Sequence, residues 1–165
     1  MIARKIDRGG TGGPPATTVT LDYDGRFLRR KSLTLDNGSQ CLVDLAETVS
    51  LAAGDHLITE DGAAILVRAA PERVTLVRAD SPEALARLAW HIGNRHTPCQ
   101  IGADFLVLRE DHVLDGLLRR LGARLEHADA PFTPEGGAYG LGRIHGHDHG
   151  HDHGHDHGHG HAVTD

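Results

Sequence analysis

Sulfur is scarce in this chain: two cysteines, Cys41 and Cys99, and one methionine in 165 residues. Two thiols cannot build a disulfide framework, so a reduced, cytoplasmic protein is expected. Aromatic side chains are also few, six in all, and hydrophobic residues make up only 39%. No run approaches the roughly 18 apolar residues that a helical membrane span needs. Met1-Ile2-Ala3-Arg4-Lys5 leads into the glycine-rich stretch Gly9 to Pro15 instead of an apolar segment, so no secretory leader is expected. Positive charge is in deficit, 17 Lys and Arg against 23 Asp and Glu, a net charge of −6 with neutral histidine. That balance argues against nucleic-acid binding and suits a protein that handles cations.

Histidine is abundant, with 14 copies, and it is unevenly spread. Nine of them lie in the 17 residues from His145 to His161, at His145, His147, His149, His151, His153, His155, His157, His159 and His161. The rest of that run is only Gly and Asp. Such a segment has no apolar residue with which to form a core, so residues 141–165 are expected to be a disordered tail. Neutral imidazole is a borderline ligand suited to Ni, Zn and Cu, and histidines at alternate positions can put two or three on one ion. Affinity alone does not choose among these metals, since most N/O sites favour Cu over Ni. An added affinity tag would be an uninterrupted histidine run, whereas this one is punctuated and followed by Ala162-Val163-Thr164-Asp165.

The body divides near Ala70-Pro71. Before it, Val19 and Leu21, then Leu33 and Leu35, alternate, and Cys41-Leu42-Val43 and Ala64 to Val67 are short apolar runs. Turn signals stand between them at Asp24-Gly25, Asp36-Asn37-Gly38, Gly54-Asp55 and Asp61-Gly62. Asn-Gly predicts a two-residue hairpin turn with positive φ at both central positions. Residues 1–71 are therefore expected to be a small all-β domain, with 9–15 a flexible stretch.

Residues 72–140 read differently. Arg73 to Ala79 predicts a strand. Ser81-Pro82-Glu83 supplies a capping hydroxyl, a first-turn proline and an acid at a helix start, and Leu85, Leu88, Ala89 and Ile92 follow at helical spacing up to Gly93. Cys99 to Ile101 and Phe105 to Leu108 predict two strands. Asp111 opens a second helix with Leu114, Leu117, Leu118 and Leu121 on one face and Gly122 after it, and Arg124 to Ala128 closes the series as a strand. The order β-α-β-β-α-β predicts an α+β, ferredoxin-like domain.

Two places in this domain carry chemistry. His91 and His96 would stand about 140° apart on one helix and could not share an ion, but Gly93 and Pro98 put His96 in a loop. His112 opens the second helix beside Glu110, Asp111 and Asp115, a cluster that either holds a cation or simply caps the helix.

Gly93-Asn94-Arg95-His96 with Pro98, then Asp111-His112-Val113-Leu114-Asp115, then Pro131 to Tyr139 and a histidine-rich terminus resemble the UreE urease accessory proteins. The resemblance runs from Arg30 through Tyr139. It implies a nickel metallochaperone with an N-terminal β domain, likened to a peptide-binding module, and a ferredoxin-like domain that forms a homodimer. It implies that His96 lies at the dimer face, where two copies bind one metal, and that His112 matches a more peripheral ligand. Some members carry a histidine two residues before that position, where this chain has Glu110. It also implies partners, the accessory GTPase UreG and apo-urease, with Ni2+ as cargo and Zn2+ or Cu2+ as other ions that bind.

Enzyme readings fare poorly. A zincin helix carries its motif on two histidines four apart, and His91 to His96 has the wrong spacing for it; a nucleotide-binding loop needs Lys-Ser/Thr after its glycines, and the Gly9–Gly13 run has none. A histidine-tailed prolyl isomerase would line its pocket with aromatics, and there are too few. The competing reading is zinc or nickel storage or detoxification by the tail.

Overall fold

The computed structural model describes residues 1–11 and 13–136. Seven strands come first: β1 (Ile2–Asp7), β2 (Thr17–Leu21), β3 (Phe27–Thr34), β4 (Gln40–Ser50), β5 (His56–Thr59), β6 (Ala64–Ala69) and β7 (Pro71–Arg78). The first six form one sheet in the order β2-β6-β5-β1-β4-β3. Val19, Leu33, Cys41, Val43, Leu57, Ile65 and Val67 make its core, which bears out an all-β N-terminal region.

Three details depart from the sequence reading. β1 and β5 are additional strands, and β1 sits inside the sheet, parallel to β4 and antiparallel to β5. The Asn37-Gly38 turn is longer than two residues. Leu35 N donates to Ser39 O at 2.8 Å, and only Gly38 has positive φ, at 84°. That is the three-residue hairpin loop, which asks one residue and not two to be left-handed. The start of the 9–15 stretch is also tied down, at Gly9 and Thr11. Gly9 N and Arg8 both donate to buried Asp55, and Thr11 Oγ1 donates to Asp7. Gly10, at φ 65°, lies so close to the His56 ring that a Cβ there would stand 2.8 Å from Nε2.

The remaining elements are α1 (Pro82–Gly93), β8 (Gln100–Ile101), β9 (Leu106–Arg109), α2 (His112–Arg120) and β10 (Arg124–Pro131). With β7 they form a second sheet, β10-β7-β9-β8, in which every neighbouring pair is antiparallel. Both helix starts follow from their caps. Ser81 Oγ accepts from Ala84 N at 3.1 Å, and Asp111 Oδ1 accepts from Val113 N and Leu114 N at 2.8 and 3.0 Å. Leu88, Ile92, Leu114 and Leu118 bury against Val77, Leu106 and Leu108. The result is a mixed α+β unit. Leu121, expected on the inner face, follows the last turn of α2 and is partly exposed.

The two units meet at Phe132, which is fully buried. The Tyr23 ring packs edge-on against it at 5.4 Å, and Arg26 donates to its carbonyl. Around them Tyr23 N donates to Glu72 at 2.6 Å, and Arg109 pairs with Asp24 at 2.7 Å.

Candidate metal site

His96 closes the turn that ends α1. Asn94, Arg95 and His96 donate in succession to the carbonyls of Trp90, Ile92 and Gly93 at about 3.0 Å, so the helix tightens as it unwinds. His96 itself has φ 54° and is the only non-glycine residue with positive φ among the described residues. A side chain in that region costs roughly 1–2 kcal/mol, although histidine is one of the residues seen there more often than most. The left-handed step lifts the imidazole off the helix end into solvent, where it is exposed. His91, one turn back, is half-buried with its ring edge-on to Trp90 at 5.0 Å.

Three residues beyond His96 stands Cys99. Burial, and then the charge of Glu135, push its thiol up to about 11. At neutral pH it stays protonated, so a metal ion using this sulfur would have to displace its proton.

His112 is exposed on the first turn of α2, and the acids around it are engaged elsewhere. Asp111 caps the helix; hydrogen bonds from Leu114 N and then Val113 N hold its carboxyl below the usual carboxylate range. Glu110 pairs with Arg73 at 3.0 Å. Asp115 turns inward, 3% exposed, where it accepts from Thr75 Oγ1 at 3.1 Å and meets His127 Nε2 at 2.6 Å. Among the described residues no three His, Cys, Asp or Glu side chains gather as a metal cage. The Asp115–His127 pair escaped the sequence reading. Its signal is an aspartate between Leu114 and Leu118 on the apolar face of α2, where an acid must find a partner.

A cleft of about 450 Å3 is lined by Thr97 and Pro98, which follow His96 in the chain, and by Glu110 and Asp111, which precede His112. Arg73 and Arg109 also line it, and each is already paired with an acid. The tail histidines, His145 to His161, fall outside the described residues.

Comparison with known proteins covers both units. Residues 2–70 match the model of the UreE urease accessory protein N-terminal domain, and residues 72–161 match that of its C-terminal domain. A urease accessory protein UreE from Paracoccus denitrificans is 57% identical over 131 residues, 79% of this chain and 82% of its own length. The UreE of Rhodobacter capsulatus is 52% identical over 146 residues, 88% of this chain and 90% of its own. That of Burkholderia ambifaria is 51% identical over 133 residues, 81% of this chain and 66% of its own.

Proposed function

This chain belongs to the UreE family of urease accessory proteins, and on that premise we propose that it carries Ni2+ to urease during maturation of the enzyme's metal site. The family is one of accessory chaperones, not enzymes. In this reading residues 1–71 form the partner-binding β domain and residues 72–140 a ferredoxin-like domain. The tail from 141 collects metal. The second sheet supports the ferredoxin-like assignment, because β7 and β8 flank β9 as in a split β-α-β unit.

One observation carries the site assignment. His96 is exposed on a left-handed backbone step that glycine would take at less cost. Strain held at an exposed histidine points to a use for its side chain. In a two-fold homodimer formed by this domain, an exposed residue near the axis is doubled. Two His96 imidazoles then hold one ion and leave positions open for a tail imidazole or for the recipient. His112 is the outlying second ligand. The working partners are the GTPase UreG and apo-urease, in the cytoplasm.

Calorimetric titration with nickel and with zinc tests this on the full chain and on a chain ending at Gly142. Nine tail histidines at two to three per ion hold roughly three to four ions per chain. Truncation should leave one ion per dimer, and His96→Ala in the truncated chain should remove it while light scattering still finds a dimer. A storage protein would lose all binding on truncation. Retention of the ion by His96→Ala would shift the site to His112 and Glu110.

A further inference from the structure

β10 is an edge strand of the second sheet, and its side chains alternate between two faces. Ala128 and Ala130 pack on the Phe132 side. Leu125 packs on the side covered by the helices, so His127 and Asp129 share that face. The register sets His127 opposite Thr75 and Asp129 opposite Arg73. From α2, Asp115 reaches the same place. It is 3% exposed, accepts from Thr75 Oγ1 at 3.1 Å and meets His127 Nε2 at 2.6 Å.

That contact sets the chemistry of the ring. An ionised carboxylate can only accept, so Nε2 carries a hydrogen, and in the neutral imidazole the lone pair is then on Nδ1. The His127 side chain is 32% exposed, and Nδ1 has no hydrogen-bond partner among the described residues. A carboxylate behind one ring nitrogen and a lone pair on the other is the arrangement that orients a histidine ligand and raises its basicity. The hydroxyl of Thr75 is spent on Asp115, so the trio offers no nucleophile for the imidazole to activate. Two residues along the same face, Asp129 is 65% exposed and held only loosely, by Arg73 Nη1 at 3.7 Å. Arg73 is engaged more closely by Glu110, at 3.0 Å. Arg119 stands 3.9 Å from Asp115. The three acids and two arginines leave the spot with a net negative charge.

We propose that His127 Nδ1 and the Asp129 carboxylate bind a borderline divalent cation such as Zn2+, with Asp115 as the positioning residue that fixes the tautomer and direction of the ring. Nitrogen and oxygen donors suit ions of this class. Two protein donors leave the remaining coordination positions to water, so the ion is held weakly and exchanges readily. The site shares no residue with His96, His112 or the tail, and it stands or falls independently of them. The competing role for Asp115 and His127 is that of an ion pair which only fastens α2 to the sheet, and zinc separates the two.

Side-chain nitrogen NMR of the full chain at about pH 7.5, where free imidazole is neutral, tests this, with the His127 signals assigned by their loss in His127→Gln. Without metal, Nδ1 should show the shift of an unprotonated nitrogen and Nε2 that of a protonated one. Zn2+ added after the other histidine signals have saturated should move the His127 Nδ1 signal along a saturating curve. Asp129→Asn should raise the midpoint of that curve about ten-fold, and Asp115→Asn by roughly ten- to a hundred-fold. An Asp115 that only fastens the helix would leave the midpoint unchanged. Asp129 is at the surface, so Asp129→Asn decides the matter even if Asp115→Asn does not fold. A proton on Nδ1 of the metal-free chain, or a His127 signal that stays still in millimolar Zn2+, overturns the proposal. So does a midpoint indifferent to Asp129→Asn.

Discussion

Arg26 of the first unit and Phe132 of the second, 106 residues apart, are joined by a buried hydrogen bond from guanidinium to backbone carbonyl. Arg26 is 3% exposed and also lies over the Tyr23 ring at 5.8 Å. Truncation would leave a buried carbonyl without this donor. Arg26→Ala should therefore lower the unfolding free energy by about 2 kcal/mol, read as a shift of the urea midpoint at unchanged slope.

His96 should trade stability against metal. His96→Gly places in the left-handed step the residue that takes it most readily, so the fold should gain about 1 kcal/mol. The same variant, ending at Gly142, should bind no tight nickel. Thermal unfolding and titration of one sample measure both effects. A loss of stability would mean that the imidazole is held by contacts that outweigh its backbone.

Asp111 gives a pH signature. Its folded pKa is lowered by the amides of Leu114 and Val113, so its contribution is present above the ordinary carboxylate range and is lost as pH falls through the lowered value. Asp111→Ala should cost about 1 kcal/mol near neutrality, and this difference from the parent should vanish in strong acid. Asp111→Asn, which caps without titrating, should retain most of the stability. A pH-independent gap between Asp111→Ala and the parent would contradict the capping role.

Trp90 is 64% exposed in the last turn of α1, just before the His96 turn. If this face meets its copy in the proposed dimer, Trp90→Ala should raise the dimer dissociation constant by about thirty-fold, the effect of losing 2 kcal/mol at a central aromatic anchor. Analytical ultracentrifugation over a concentration series measures this. An unchanged constant would put the interface elsewhere.

Metal uptake by the tail should fall steeply in mild acid. Unperturbed imidazole has a pKa of about 6.5, and binding needs it neutral. A two-imidazole tail site should lose about a hundredfold in affinity from pH 7.5 to 5.5. A flat titration over that range would point to the aspartates Asp148, Asp152 and Asp156 as the ligands.

Much of the fold was legible because local chemistry marks it. Ser81-Pro82 and Asp111 start their helices where capping predicts, and Leu88, Ile92, Leu114 and Leu118 face inward as their spacing requires. β1 was not, because its only fully buried residue is Ala3, and Arg4 and Lys5 interrupt any apolar rhythm. Its place is set by pairing with β4 and β5, forty or more residues away, which no local pattern encodes. β5 was hidden for another reason: His-Leu-Ile-Thr is short and opens on a histidine that happens to be buried. At the site, the glycine and proline around His96 predicted a loop, but not the left-handed step. The acids near His112 looked like one cluster because sequence neighbours cannot reveal that Asp115 turns inward to His127 while Glu110 turns to Arg73.

The protonated thiol of Cys99 bears on which ions the His96 loop can retain. Raised from 9.0 to about 11, it offers about a hundredfold less thiolate than an unperturbed thiol. Cys41, also pushed up by burial, is sealed in the first core. Cuprous or cadmium ions, which favour sulfur, would have to displace the Cys99 proton before using that donor. That added cost tilts the surroundings of His96 toward ions content with nitrogen and oxygen donors.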